Sequence, residues 1–339
     1  MTDAPPSTGP VPSTGLVGIE DIRRAASLLR GVATTTPLVP FGPAADRRFL
    51  KAESLQPIGA FKIRGAYVAI ASLTDAERRR GVITYSSGNH AQGVARAARL
   101  LGAPAVVVMP TDAPAIKAAR VAADGAEIVW AEPSSDARQR IAEERAARDG
   151  LALIPPYDDD RIIAGQGTVG LEIAEALPDL AAVVVPIGGG GLASGVAVAV
   201  RALAPKARIV GVEPALAADA RDSLAAGRIV AWPAEDVGRT ISDGTRATAL
   251  GRRTFEHLSA LLDGIVTVTE EMIAAGVRLA AEESRLVAEP SGALAVAALR
   301  FRGSEAGLEG LEGPIVGVVS GGNVDPERYR EYLAAPIPG

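Results

Sequence analysis

Short apolar, β-branched runs alternate with helical stretches along this chain, and that alternation constrains the fold more than any other feature. The runs are Ala105–Met109, Glu127–Trp130, Ala182–Ile187, Arg208–Val212, Ile265–Val268 and Ile315–Val319. Each is bounded by Gly, Pro or polar turn residues, the pattern of strands buried on both faces. Between them, Thr111 or Asp112 can cap a helix running to Gly125, Asp136–Asp149 reads as a charged amphipathic helix, and Leu192–Leu203 as a small, apolar, buried one. Such alternation predicts an α/β protein with parallel sheets covered by helices. No repeat of fixed period is visible.

Composition narrows the function classes. At 339 residues the chain is long enough for two domains with real cores. A net charge of −5 leaves no basic footprint for nucleic acid. Cysteine is absent, which excludes disulfides, thiolate metal sites and a cysteine nucleophile, and only two histidines occur, His90 and His257. No apolar run reaches the ~18 residues of a membrane span, and the N-terminus lacks a signal pattern; no membrane partner is expected, and a cytoplasmic location is. Residues 1–15, rich in Pro, Ser, Thr and Gly, read as a disordered arm.

Four segments carry chemistry. Gly59-Ala-Phe-Lys62-Ile-Arg64 places a lysine after a glycine turn, where an amine nucleophile could sit. Val82–Tyr85 reads as a strand and Ala91 onward as a helix, so Ser86–His90 forms a strand-to-helix loop whose N–H groups favour a carboxylate. Gly188–Gly191 also lies between a strand and a helix, where consecutive N–H groups can converge on phosphate oxygens. It matches neither dinucleotide nor triphosphate fingerprints. Ser320-Gly-Gly-Asn323 follows the last strand-like run.

In this order, these segments resemble the pyridoxal phosphate (PLP) dependent serine/threonine dehydratase and serine racemase family, from about Gly18 to about Asp325. The resemblance implies fold type II, with two parallel-sheet α/β domains and the cofactor between them. Residues 81–158 would form a small mobile domain, ending at the stiff Pro155-Pro156 break, and 16–80 with 159–339 the larger one. It implies that Lys62 holds the cofactor aldehyde and moves the substrate α-proton. Phe61 flanks the cofactor ring, Asn89 bonds its phenolic oxygen, and Gly188, Gly189, Gly190, Gly191 and Leu192 hold the phosphate. Ser320 faces the ring nitrogen, and, being neutral, makes the ring a moderate electron sink. Ser86, Ser87, Asn89, His90 and Tyr157 fall to the substrate, Ser87 aligning with the racemases' second acid/base. Glu213, the Ala217 carbonyl and Asp219 resemble a Mg2+ or Mn2+ site, since hard cations want oxygen ligands.

The resemblance also frames the reaction. Tyr157 stands where racemases carry asparagine, Ala247 where they carry serine, and Trp130 where tyrosine is expected. The first two departures favour dehydration of L-threonine or L-serine over racemisation. The chain's end soon after Ser320 fits the catabolic dehydratase type without a regulatory domain. Racemisation, dehydration of another β-hydroxy amino acid such as 3-hydroxyaspartate, β-replacement and a non-catalytic amino-acid-binding role stay open. A homodimer or homotetramer is implied, with a small-molecule amino acid as the only other partner.

Overall fold

The structure, a computed structural model, describes residues 15–113 and 115–338. The expected N-terminal arm therefore lies outside the described residues, apart from Gly15. Ten strands form two sheets among the described residues. In chain order they are β1 (Leu38–Pro40), β2 (Arg48–Ala52), β3 (Val82–Tyr85), β4 (Ala105–Pro110), β5 (Glu127–Ala131), β6 (Ala152–Leu153), β7 (Ala182–Pro186), β8 (Arg208–Pro214), β9 (Gly264–Val268) and β10 (Ile315–Val319).

The larger sheet has the order β1-β2-β10-β7-β8-β9 and the smaller β5-β4-β3-β6. Every pairing is parallel except β1 with β2. The central strands behave as their sequences predict: β7 and β10 are buried at every residue, with cores packed on both faces of the larger sheet. β5 does not. It is an edge strand, and Trp130 on it is 51% exposed, so the expectation of burial on both faces fails there.

Two helices start two or more residues away from where the sequence places them. The helix expected from Thr111 or Asp112 spans Ala115–Ala123. The helix after β3 begins at Asn89 rather than Ala91, so Asn89 and His90 lie in its first turn and the loop shortens to Ser86–Gly88. β1, β2 and β6 carry little sequence signal: β6 has two residues, and β2 contains charged Arg48 and Lys51.

Lys51 is charged and almost fully buried, and its reason for being so positions the site. Its Nζ meets Glu172 at 2.5 Å and the Thr36 carbonyl at 2.7 Å. Arg64, equally buried, forks onto Glu53 through Nε and Nη2, both at 2.8 Å. It also reaches Glu172 at 2.7 Å, Thr168 at 3.0 Å and the Thr34 carbonyl at 3.1 Å. Thr36 and Gln56 donate to Glu53 at 2.6 and 3.1 Å. Two cations thus balance two carboxylates in a buried network, the condition under which buried charge is tolerated. Burial pushes the Glu53 carboxyl up, but the Arg64 guanidinium outweighs it and holds the group below its usual range. Arg64 sits in the first turn of the helix Lys62–Ala71, so the network ties that helix to β2 and to the buried helix Asp160–Ala176. The opposite face of the same helix buries Ile63, Ala66 and Ile70 in an apolar cluster.

Candidate active site

Between the two sheets lies a cavity of about 230 Å³. Its walls gather Phe61, Lys62, Ser86, Ser87, Asn89, His90, Tyr157, Gly188, Gly189, Gly190, Gly191, Leu192 and Ser320, drawn from stretches far apart in sequence. Every residue expected to touch cofactor or substrate therefore lines one space. Glu213, Ala217 and Asp219 do not line it.

Lys62 is the first residue of its helix. The turn before it needs Gly59, which holds φ +73 and where a Cβ would fall 2.5 Å from Asn323 Oδ1. The Lys62 Nζ donates to the Pro156 carbonyl at 2.8 Å and lies 5.2 Å from the centre of the Phe61 ring. Burial lowers its pKa to about 8. An amine so placed is partly neutral near physiological pH, as a nucleophile or proton acceptor must be.

The glycine run follows β7 after Ile187 and opens the helix Gly191–Leu203, with Gly190 at φ +92 as its N-cap. Side chains are excluded here by contact as well as by conformation. A Cβ on Gly189 would lie 2.1 Å from the Tyr157 ring, and one on Gly190 would lie 2.9 Å from Thr254. The result is a tight backbone cradle at a helix N-terminus, which suits a phosphate. Ser320 is buried at the end of β10, its Oγ donating to the Ser291 carbonyl at 3.3 Å.

Asn89 is clamped from two sides. Its Oδ1 accepts from Asn323 Nδ2 at 2.9 Å, which orients Nδ2 toward Glu289 Oε1 at 2.6 Å. Asn323 is itself held by donating to the Ile58 carbonyl and accepting from Arg120. Burial and the nearby Asp243 raise the Glu289 carboxyl to about 7. His90 Nε2 lies 3.1 Å from the Ile154 carbonyl and must donate to it, leaving Nδ1 with the lone pair and no partner among the described residues. Burial and neighbouring Lys62 depress its pKa to about 3, so it is a neutral acceptor at working pH.

Several lining residues are not legible as motifs. Glu289, Asp243, Lys117, Arg138 and Tyr85 reach the cavity from loops, helices and the end of β3, where local patterns are ordinary. Asn323, which braces Asn89 from behind, had a visible signal as the last residue of Ser-Gly-Gly-Asn.

Outside the cavity, Glu213 at the end of β8 accepts from the backbone N–H groups of Ala220 and Arg221 at 3.0 and 2.8 Å. Asp219 is fully buried, and neither carboxylate oxygen has a hydrogen-bond partner among the described residues. Burial raises Asp219 to about 7, and burial together with Asp219 raises Glu213 well above its usual value. Two buried acids, neither in an ion pair among the described residues, fit a hard cation. Among the described residues, however, no group of three or more His, Cys, Asp or Glu side chains is arranged as a metal site. No helix among them is long and apolar enough to cross a membrane.

Comparison with known proteins agrees with this geometry. The family model described as "Pyridoxal-phosphate dependent enzyme" matches residues 29–321. The L-threo-3-hydroxyaspartate ammonia-lyase of Saccharomyces cerevisiae is 40% identical over 324 residues, covering 94% of this chain and 97% of the relative. The structure of maize serine racemase superposes with a TM-score of 0.87 at 38% identity, covering 94% of this chain and 97% of the other. That of the T.th. threonine deaminase superposes at 0.82 with 41% identity, covering 91% and 99%. The cradle, the half-buried lysine and these likenesses lead to one conclusion: the chain belongs to the family of pyridoxal-phosphate dependent enzymes.

Proposed function

We propose that this enzyme eliminates water from L-threonine or L-serine, yielding 2-oxobutanoate or pyruvate and ammonia. The observation that carries the reading is Lys62: an amine with a pKa lowered by burial to about 8, facing one cavity with the glycine cradle and a neutral Ser320. Gly188–Gly191 and Leu192 would hold the cofactor phosphate, Ser320 the ring nitrogen, Asn89 the phenolic oxygen and Phe61 one edge. When bound, PLP supplies an electron sink that acidifies the α-carbon of an amino acid.

The chain's own residues do the rest. Lys62 Nζ takes the α-proton, its lowered pKa keeping a usable neutral fraction. The N–H groups at the start of the helix Asn89–Leu101, with Ser86 and Ser87, receive the substrate carboxylate. His90, held neutral with its Nε2 on the Ile154 carbonyl, borders the substrate end of the pocket. Tyr157 walls the pocket beside the glycine run.

We assign residues 81–158 to a smaller lobe that closes over the substrate. The contacts across the cleft support this: Lys117 meets Asp243 at 2.5 Å, and Arg120 donates to Asn323 at 2.7 Å. We also assign Mg2+ or Mn2+ to Glu213, the Ala217 carbonyl and Asp219, on the strength of the two orphaned oxygens of Asp219.

The test is a panel of β-hydroxy amino acids, with 2-oxo acid and ammonia read for each. Release of both from threonine or serine, abolished in Lys62→Ala, is the expected outcome. Release from 3-hydroxyaspartate alone would move the substrate to that of the yeast relative. Ser87 lining the same cavity favours one second activity, interconversion of L- and D-serine, which chiral analysis of the same reactions reads. Exchange of the β-substituent with an added thiol, without ammonia, would overturn the assignment.

A further inference from the structure

Three consecutive residues reach three different places in and around the candidate site. The Pro156 carbonyl accepts from Lys62 Nζ at 2.8 Å. Tyr157 lies against Gly189 and Gly191, where added Cβ atoms would fall 2.1 and 3.1 Å from it. Asp158 points the other way, to the start of the helix Arg252–Leu261.

That helix has no side-chain cap of its own, since its N-cap residue is Gly251. Asp158, from 94 residues earlier, supplies the acceptor. Its carboxylate receives the N–H groups of Arg252 at 3.1 Å, Arg253 at 2.8 Å and Thr254 at 3.2 Å. A side chain at 251 would block this, for a Cβ there would lie 2.1 Å from Asp158 Cγ. The capped helix then forms the outer wall of the cradle: Thr254 and Leu258, with Leu250 just before the helix, crowd the face of Gly190. One carboxylate therefore fixes both the strand of chain that carries Tyr157 and the helix that backs the glycine run.

We propose that Asp158 is a positioning residue for cofactor binding. It holds Tyr157 on one side of the phosphate cradle and the helix Arg252–Leu261 on the other, and keeps the Pro156 carbonyl against Lys62. It touches none of the reacting atoms. This rests on the reading that the cavity holds pyridoxal phosphate.

The experiment titrates PLP into apoprotein of wild type, Asp158→Ala and Asp158→Asn, following cofactor absorbance, and measures Tm with and without PLP. Losing a charged cap on three N–H groups should weaken PLP binding roughly tenfold in Asp158→Ala. The amide of Asp158→Asn keeps one acceptor oxygen and should fall between. Because PLP stabilises only the native state that binds it, the gap between holo and apo Tm should shrink in the same order. The pH midpoint of the bound-cofactor absorbance should shift as well, since the Pro156 carbonyl and Tyr157 beside the lysine are no longer held in place. Should Asp158→Ala fail to fold, Gly251→Ala displaces the carboxylate without removing it and should show the same losses. Equal drops of apo and holo Tm, with PLP affinity and pH midpoint unchanged, would overturn the proposal and leave Asp158 a simple helix cap. A wild-type protein that binds no PLP would remove the premise itself, an outcome distinct from an unaffected variant.

Discussion

Arg64→Met tests whether the buried charge network holds the lysine-bearing helix in place. In the native protein, Lys51 and Arg64 balance Glu53 and Glu172. Methionine fills much of the arginine volume but leaves one carboxylate in excess, with Glu53 fully buried. Breaking a buried pair from one side costs roughly 3–5 kcal/mol. At about 2–4 °C per kcal/mol, a range taken from somewhat smaller domains, Tm should fall by roughly 6–20 °C. The loss should also depend on pH with a definite sign. In wild type, Arg64 holds the Glu53 pKa below its unfolded value, so this stability is present above that value and lost as pH falls through the folded one. In the variant, burial acts without its counterweight and the folded pKa rises above the unfolded one. The variant is then penalised most at high pH, and the gap in Tm should narrow from about pH 8 to about pH 5. Thermal scans of both proteins across that range are the assay. A Tm within about 2 °C of wild type at pH 8, or a gap that widens in acid, would refute the argument.

Gly189→Ala should weaken PLP binding, because its Cβ would fall 2.1 Å from the Tyr157 ring and force that ring out; overpacking of this kind costs about 1–3 kcal/mol, read as the PLP Kd by absorbance. EDTA should lower the Tm of wild type and Mg2+ or Mn2+ restore it, while Asp219→Asn should be insensitive to both; a wild type indifferent to EDTA would remove the cation assignment. His257 Nε2 accepts from the Val17 N–H at 2.9 Å and Nδ1 donates to the Arg253 carbonyl at 2.7 Å, so only the neutral ring fits. Burial depresses its pKa below the ordinary ~6.5. Its stability contribution is therefore present above that value and lost as pH falls, and the Tm difference between wild type and His257→Ala should shrink from about pH 7.5 to about pH 5.5.

What is legible in the sequence follows from how local each cause is. β7 and β10 read as strands because they are buried on all sides, so apolarity alone marks them. The glycine run is legible for a similar reason, since the crowding by Tyr157 and Thr254 leaves no room for any side chain and the backbone conformation at Gly190 asks for none. β2 is not legible because Lys51 is buried by partners at Thr36 and Glu172, the second 121 residues away, and in isolation reads as a solvent-facing lysine. Glu289 escapes for the same reason: its role depends on Asn89, 200 residues distant, and on Asp243. Asn89 lines the cavity as its motif implies, yet it sits on the helix and not in the loop. Ser-Ser-Gly-Asn is turn-forming chemistry, and the helix begins two residues ahead of its apolar pattern at Ala91.

The same distinction explains why the reaction is harder to read than the cofactor. In the proposed reading PLP is held by a backbone cradle, an amine and a hydroxyl facing the ring nitrogen, and each leaves a contiguous trace: Gly188–Gly191, Gly59–Lys62 and Ser320. We expect the choice among β-hydroxy amino acids, or between elimination and racemisation, to lie with the other lining residues Tyr85, Arg138, Gln139, Arg246 and Ala247, which come from three separate stretches of the chain. No two of the three relatives compared share a named activity: one is called a hydroxyaspartate ammonia-lyase, one a serine racemase and one a threonine deaminase. All three are 38–41% identical to this chain over most of its length, so differing named activities accompany one fold. Variation at those wall positions, with Lys62 and the cradle untouched, should therefore change which amino acid is consumed before it changes whether PLP binds.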